Sequence, residues 1–511
     1  IYNNKTLEKI LNDEDFKKSS VRRLANAVRI PTEIYDDTIN PNSAKTNKEL
    51  YELEPLWKQY EIFHSYLEET FPLVHKSLKK EAVNKFALLY TWEGKNPDLK
   101  PLLLTAHMDV VPVQRETWGQ WTHGPFDGVF DGKYIYGRGV SDCKNLLIGL
   151  METIELLLEE GEFKPERTVI LGFGYDEESS GTGAFELNKV LLERYGKDSL
   201  YAIVDEGNEG FEESEGVKII LPATAEKGHL NSIIELYTPG GHSSVPPDHT
   251  LIGILSKLID RIEEHPFESI LTPSSPVLKQ LQCVAEHSKS ISKTLKSDIL
   301  KAQFNPISNR AVIDYISKEQ TRYLVATSQA VDIVQGGAKS NALPEHVSVL
   351  VNHRIALEES VELTANHVLE QIKTVAQKFD LGIIYQGQIL VQPNANGYFN
   401  YTLNEPLEPA PITPTEGAVW ETFTGSLRYL YEDLIFPESS DIYVPSGYVS
   451  IGNTDTKNYW DLTKNIYRYL PAISGGSNIH SVDEKLPFED HLSVIAFYYY
   501  YIQVVDKQPD V

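Results

Sequence analysis

Three stretches of the chain share one design, an apolar run of strand length that stops abruptly at acidic or imidazole side chains. The run at 101–106 ends in His107, Met108 and Asp109, that at 168–175 in Asp176, Glu177 and Glu178, and that at 200–204 in Asp205 and Glu206. Runs this short, bounded this sharply, predict buried strands. Between them the period changes. Leu146, Leu147, Leu150, Met151, Ile154, Leu157 and Leu158 recur at helical spacing and stop at Gly161, and a second helical stretch, 185–195, stops at Gly196. Strand and helix therefore alternate, which predicts an α/β fold whose largely parallel, mixed sheet is flanked by helices. In open sheets of this kind ligands gather beyond the carboxyl ends of the strands, where these polar clusters fall.

The flanks add a second unit. Helical spacing opens the chain at Val21, Leu24, Ala25 and Val28 and returns at Tyr51, Leu53, Leu56 and Trp57, with a loop at 37–47 between them. From about Lys227 the texture differs: 232–237 and 347–354 read as strands, 251–264 and 360–379 as helices, and 266–321 as a long, less regular region. The expectation is a smaller α+β lid over 227–398, inserted into a catalytic domain made of 1–226 and 399–511. Pro409-Ala410-Pro411 reads as a hinge, after which helices at 420–431 and 490–505 complete the first domain.

A length of 511 residues suits two domains. Asp and Glu number 73 against 47 Lys and Arg, a formal charge of -26. Nucleic acid and anionic membrane are therefore repelled in bulk, whereas a cation-binding role is compatible. Two cysteines exclude a disulfide framework. No apolar run has spanning length; the nearest, 492–505, is broken by Ser493 and Gln503 and reads as a buried closing helix. The chain begins at Ile1 rather than Met, which leaves room for an upstream targeting segment, and the sequons at Asn4 and Asn400 hint at a secretory route.

His107, Asp142, Glu178, Asp205 and His480 offer the nitrogen and oxygen donors that zinc takes. They are scattered and form no short metal motif. Spacing alone leaves a turn-capping role for Asp142, a solvated acidic turn for Glu177 and Glu178, and a salt bridge for Arg354 all open.

Resemblance narrows this. His107-Met108-Asp109-Val110-Val111-Pro112-Val113, Gly137-Arg138-Gly139 followed by Asp142-Cys143-Lys144, Asp176-Glu177-Glu178-Ser179-Ser180-Gly181 and Asp205-Glu206-Gly207 resemble, in order and spacing, the successive signatures of the M20 metallopeptidases. The stretches 240–250, 285–290 and 452–457 are most similar to the branch of fungal vacuolar carboxypeptidase S, the Gly-X carboxypeptidases. The resemblance implies two zinc ions bridged by Asp142, with His107 and Asp205 completing one site and Glu178 and His480 the other. Asp109 would orient the imidazole of His107, and the Asp142–Cys143 peptide would be cis. The ions would lower the pKa of a shared water, and Glu177, kept off the metals, would take its proton and pass it to the leaving nitrogen. His242, from the lid, would support the oxyanion. Asn341 and Arg354 would hold the substrate's free carboxylate, a task that suits the planar fork of arginine. Cys143, among carboxylates, reads as structural.

The expectation is a di-zinc carboxypeptidase that releases the C-terminal residue of short peptides, in the vacuolar lumen or secretory pathway. An N-acyl-amino-acid amidase or synthase is the alternative, since one site cuts both bonds. A non-catalytic peptide-binding protein on a peptidase scaffold is disfavoured because every ligand and the base are present. The lid is a candidate homodimer surface, as in relatives that lend its histidine across the interface, and the region 266–321 stands where it could replace or block that contact.

Overall fold

The apolar runs form strands buried at every position, Leu102–His107 and Val169–Gly174, as a sheet covered on both faces requires. The computed structural model describes residues 4–510. Its central sheet has eight strands in the order Lys79–Val83, Ala87–Trp92, Val169–Gly174, Leu102–His107, Ala202–Glu209, Ile466–Leu470, Ala223–Glu226 and Tyr448–Ser450. The four strands from Val169–Gly174 to Ile466–Leu470 run parallel to one another, Ala87–Trp92 adds an antiparallel edge hairpin on one side, and Ala223–Glu226 pairs antiparallel on the other. Helix Asn145–Glu160 packs against the closing helix Phe488–Val505. Gly149 allows the approach, because a Cβ there would stand 2.9 Å from Val494 Cγ1. Nearly all of Phe488–Val505 is buried, and among the described residues no helix is long and apolar enough to cross a membrane.

The second sheet has six strands in the order Ser328–Gly336, His346–Ile355, Gly228–Tyr237, Tyr398–Leu407, Gly382–Tyr385 and Gln388–Val391. Burial alternates strictly along Gly228–Tyr237 and His346–Ile355, so one face is covered and the other open. Helices Leu251–Glu264 and Val361–Lys378 cover it, each opened by a side-chain cap, from Thr250 and Ser360. Tyr398–Leu407 belongs to this lid, where it pairs with Gly228–Tyr237 along its length. The return to the first unit therefore falls at Glu408–Ala410, beside the predicted hinge, and not at 398.

The region 266–321 is more regular than its composition suggests. It holds three short helices, Pro276–His287, Lys293–Lys301 and Pro306–Ile316, two of them with proline in the first turn. Their apolar faces form a separate cluster that takes in Val449, from the edge strand of the central sheet. Ser288 and Ser290 Oγ both donate to the Glu215 carbonyl, at 2.7 and 2.9 Å, and Lys227 Nζ donates to the carbonyls of Tyr323 and Ala326 at 2.8 and 2.7 Å. The insertion is thus fastened to the first unit while its chain ends lie in the lid.

A pH-dependent weakness of the lid follows from His353. Its ring is fully buried, with Nε2 2.9 Å from Ser232 Oγ, and burial holds its pKa down to about 4. An unfolded imidazole takes a proton near pH 6.5, so the stability the neutral ring contributes above that pH is lost as pH falls from 6.5 to 4. Chemical denaturation at fixed pH should show the advantage of wild type over His353→Gln shrinking by up to about 3 kcal/mol across that window. An advantage independent of pH would show that the ring is not held neutral.

Candidate metal centre

Each functional side chain is delivered by a different irregularity of the central sheet. His107 closes its parallel strand, and Met108 N–H continues the pairing by donating to Gly174 O at 3.0 Å. Asp109 is fully buried: Oδ2 accepts the Glu178 N–H at 2.9 Å, and its carbonyl and Oδ1 lie 3.0 and 3.2 Å from His107 Nδ1. Two acceptors on the Nδ1 side place the ring proton there and turn Nε2 to the cavity as a lone pair. After Val169–Gly174 the acidic turn divides its labour. Asp176 caps helix Thr182–Tyr195, accepting the N–H groups of Thr182 and Gly183 at 2.9 and 2.7 Å, which leaves Glu177 and Glu178 to line the cavity.

Asp142 sits in a tight turn before helix Asn145–Glu160, and the Asp142–Cys143 peptide is cis. Gly139 enters the turn at φ +80°, and a Cβ there would stand 2.0 Å from Val110 Cγ1, so no other residue fits. The buried Glu484 fastens the turn to the loop that carries His480. Its Oε1 accepts from Arg138 Nη1 at 2.9 Å, its Oε2 accepts the Ser141 N–H at 3.1 Å, and Arg138 also donates to Ser481 O. Asp490 accepts the N–H groups of Ile473, Ser474 and Gly475, and Glu209 that of Gly476, which fixes the start of the same loop. His480 itself is left-handed, at φ +62°, a strained conformation for a non-glycine residue.

These supports bring the donors together around a cavity of about 440 Å³. Asp142 divides its oxygens between two imidazoles, Oδ1 lying 3.0 Å from His107 Nε2 and Oδ2 2.9 Å from His480 Nε2. Glu178 Oε1 is 3.0 Å from His480 Nε2, and Glu177 Oε2 is 3.7 Å from His107 Nε2.

The fifth position offers two adjacent acids. Glu206 faces His107, with Oε1 3.2 Å from Nε2, and it lines the cavity. Asp205 is buried beside the cavity, with Oδ1 accepting the Glu206 N–H at 2.8 Å and Oδ2 left without a hydrogen-bond partner among the described residues. Neighbouring strand residues point to opposite faces unless a bulge intervenes, so the local register decides which acid is aimed at His107. A bulge selects which: Arg468 pairs with Asp205 and Tyr469 with Asn208, so Glu206 and Gly207 are extra residues and Glu206 is re-aimed. Gly207 makes room, since a Cβ there would meet the Arg468 backbone at 2.3 Å. The adjacent acids of Asp205-Glu206-Gly207 were visible in the sequence, but the register that chooses between them was not.

The lid residues separate into two groups. His242 and Asn341 are exposed and adjacent, on the two-stranded ribbon of Gly241–His242 and Ala342–Leu343, where Asn341 O accepts the Ser243 N–H at 3.4 Å; neither lines the cavity. Arg354 is half-buried and reaches across to the first unit, where Nη1 donates to Asn453 Oδ1 at 3.2 Å. Asn453 lines the cavity beside Thr454. The segment 452–457 was legible as a motif, but nothing in it marked Asn453 as the contact of Arg354.

The electrostatics of the cluster match its donors. Burial and then the charge of Asp142 push Glu178 up to about 7, and the same pressures push Glu206 up to about 8. Burial, followed by the charge of Glu206, raises Glu177 well above the carboxylate range. Burial alone would depress His107, but Glu206 and Asp109 outweigh it and raise the imidazole. Cys143 is free and buried, and its thiol is raised by burial and by Glu206, which keeps it protonated and inert. Four carboxylates crowded in a buried space, with imidazole nitrogens among them, form a donor set that fits divalent metal and would be relieved by its charge.

Comparison with known proteins agrees with this chemistry. The model of peptidase family M20/M25/M40 matches residues 103–504. Carboxypeptidase S of Saccharomyces cerevisiae is 45% identical over 510 residues, covering 98% of this chain and 87% of the relative. An N-fatty-acyl-amino acid synthase/hydrolase of Mus musculus is 31% identical over 460 residues, covering 88% and 83%. Among solved structures, a dipeptidase from Saccharomyces cerevisiae aligns with a TM-score of 0.61 at 17% identity, covering 99% of each chain, and shares the fold. On the family match and the identity to carboxypeptidase S, the chain belongs to peptidase family M20/M25/M40 and is an enzyme of that metallopeptidase class.

Proposed function

We propose that this protein is a di-zinc carboxypeptidase of the Gly-X type, which removes the C-terminal residue from short peptides with a free carboxylate. The observation that carries the reading is Arg354: a half-buried guanidinium bonded to Asn453 of the cavity wall, with no ion pair among the described residues. A buried cation without a counter-ion is costly, and a substrate carboxylate would supply one. His107, Glu206 and Asp142 would hold one zinc, and Glu178, His480 and Asp142 the other. Bound there, the pair would acidify water and polarise the scissile carbonyl.

The remaining steps belong to the chain. Glu177 takes the proton of the attacking water and delivers it to the leaving nitrogen, while Glu178 is committed to His480 and the metal side. Asp109 holds the tautomer of His107. Arg354 fixes the carboxylate end of the substrate and so registers the bond to be cut against the cluster.

His242 and Asn341 have no role within one subunit in this arrangement, and we assign them to the site of a second copy. The lid offers a surface for that pairing. Ser328–Gly336 is an edge strand of its sheet, Ile333 and Val334 are exposed on it, and Ile252 is exposed on the adjoining helix Leu251–Glu264. The inserted helices pack on the Tyr448–Ser450 strand and leave that edge open. A vacuolar or secretory setting is supported by the resemblance and by the Asn400 sequon, on the open face of the lid sheet, where Asn400 Nδ2 donates to Glu235 Oε2 at 2.9 Å. Hydrolysis or synthesis of N-acyl amino acids, the activity named for the mouse relative, is the second reading, since such substrates present the same carboxylate to Arg354.

Hydrolysis of an N-blocked Gly-Leu dipeptide, its C-terminal amide and an N-long-acyl leucine, with zinc supplied, tests the reading. Chelator-sensitive release of leucine from the dipeptide acid is expected, and preference for the long-acyl substrate would favour the amidase. Glu177→Gln should retain both metals by elemental analysis and lose about 10²-fold or more in kcat. Loss of metal would instead exchange the roles of Glu177 and Glu178. Glu206→Gln should lower zinc content whereas Asp205→Asn should not, and the reverse would restore Asp205 as the ligand. Arg354→Ala should raise KM for the free acid about tenfold or more and affect the amide far less; equal losses on both would remove Arg354 from this role.

A further inference from the structure

We propose that Asn453 is the positioning residue of the carboxylate clamp, a neutral acceptor that aims the Arg354 guanidinium at the substrate without neutralising it. The inference rests on the reading of Arg354 above and adds the group that sets its orientation.

Two bonds define the arrangement. Asn453 Oδ1 accepts from Arg354 Nη1 at 3.2 Å, and Asn453 Nδ2 donates to the main-chain carbonyl of Lys227 at 2.7 Å. The second bond fixes the flip of the amide, because only with Nδ2 on that carbonyl is Oδ1 turned to the guanidinium. The loop is itself anchored from below. Thr456 Oγ1 donates to the buried Glu226 Oε1 at 2.6 Å, and Arg468 Nε donates to Thr456 Oγ1 at 3.0 Å. Asn453 is thus a fixed point rather than a mobile side chain that happens to touch Arg354.

The chemistry of the acceptor matters as much as its place. Arg354 carries five N–H donors in a fork, and an amide oxygen that engages one nitrogen leaves the others, and the full charge, for a ligand. A carboxylate in the same place would form an internal ion pair and fill the clamp. The other groups around it do not supply that acid. Lys227 Nζ is committed to two carbonyls, and His229, in register across the strands, faces the Glu405 carbonyl. Burial first, and the Arg354 charge second, depress Lys227 to about 8, and burial depresses Arg354 as well, which is the mark of a cation without a counter-ion. Glu358 acts on Lys227 and Glu405 on His229, but neither is paired with Arg354. Because Lys227 lies at the crossing from the central sheet into the lid, the clamp is fastened where the two units meet.

The test uses the full-length, zinc-loaded enzyme with N-blocked Gly-Leu and its C-terminal amide, and folding of each variant is checked by thermal melting and metal content. Asn453→Asp, nearly the same shape, should cut the free-acid to amide ratio of kcat/KM about tenfold or more, chiefly through KM for the acid. Asn453→Ala should cut it less, and Arg354→Ala combined with Asn453→Asp should be no worse than Arg354→Ala alone, since both act through one guanidinium. If Asn453→Asp and Asn453→Ala leave the ratio intact, or lower both substrates equally, while Arg354→Ala abolishes the preference, the role of Asn453 falls and the clamp stands. A wild-type enzyme with no preference for the acid overturns the clamp and the inference together.

Discussion

Asp142 can serve two imidazoles only if segments more than three hundred residues apart are held to within tenths of an ångström of each other, and much of the local structure answers to that constraint. The turn bearing Asp142 and the loop bearing His480 meet on one buried ion pair, Arg138–Glu484, whose second carboxylate oxygen is spent on the N–H of Ser141. A buried pair of this kind adds little net stability, because desolvation offsets most of the attraction. What it adds is position: the fork of arginine and the two oxygens of glutamate admit few alternative geometries. Asp490 and Glu209 repeat the device on the far side of the His480 loop with four main-chain N–H groups, and a left-handed histidine is tolerated because the loop is over-determined.

How much of this was legible in the sequence depends on whether a feature is periodic or relational. The parallel strands were legible because burial on both faces makes them continuous apolar runs, and their ends put His107, Asp109, Glu177 and Glu178 at the carboxyl edge of the sheet, although their roles came only with the family resemblance. The stretches read as helical at 251–264 and 360–379 coincide with Leu251–Glu264 and Val361–Lys378 to within a residue. The three inserted helices were not legible: nine to twelve residues each, they carry too few turns for a clear stripe and bury their faces on one another and on a distant strand. The choice of Glu206 over Asp205 depends on a bulge set by a strand some 260 residues further on, and the partner of Arg354 depends on how two sheets meet. Neither is a property of any local stretch of sequence.

Charge is divided across the site. Acidic side chains concentrate around Asp142, while the cations Arg354 and Lys227 gather where the lid crosses, joined to the cavity through Asn453, which lines it. A ligand with an anionic end is therefore oriented before any specific contact with the reacting bond is made, because its charge is repelled by one pole and attracted by the other. The chain's overall charge of -26 would repel such a ligand from most of the surface, which makes the cationic pole the favoured way in.

The inserted helices bear on how far the molecule can be taken apart. Tyr448–Ser450 is the last strand of the central sheet, where Val449 joins the apolar cluster of the inserted helices and Tyr448 packs on a second cluster that holds Val284. An uncovered edge strand is a template for pairing with other chains. Removing the lid as a genetic cassette would strip that cover together with the lid sheet and leave the catalytic half with a sticky margin. In this protein the two units are separable as sheets but not as modules.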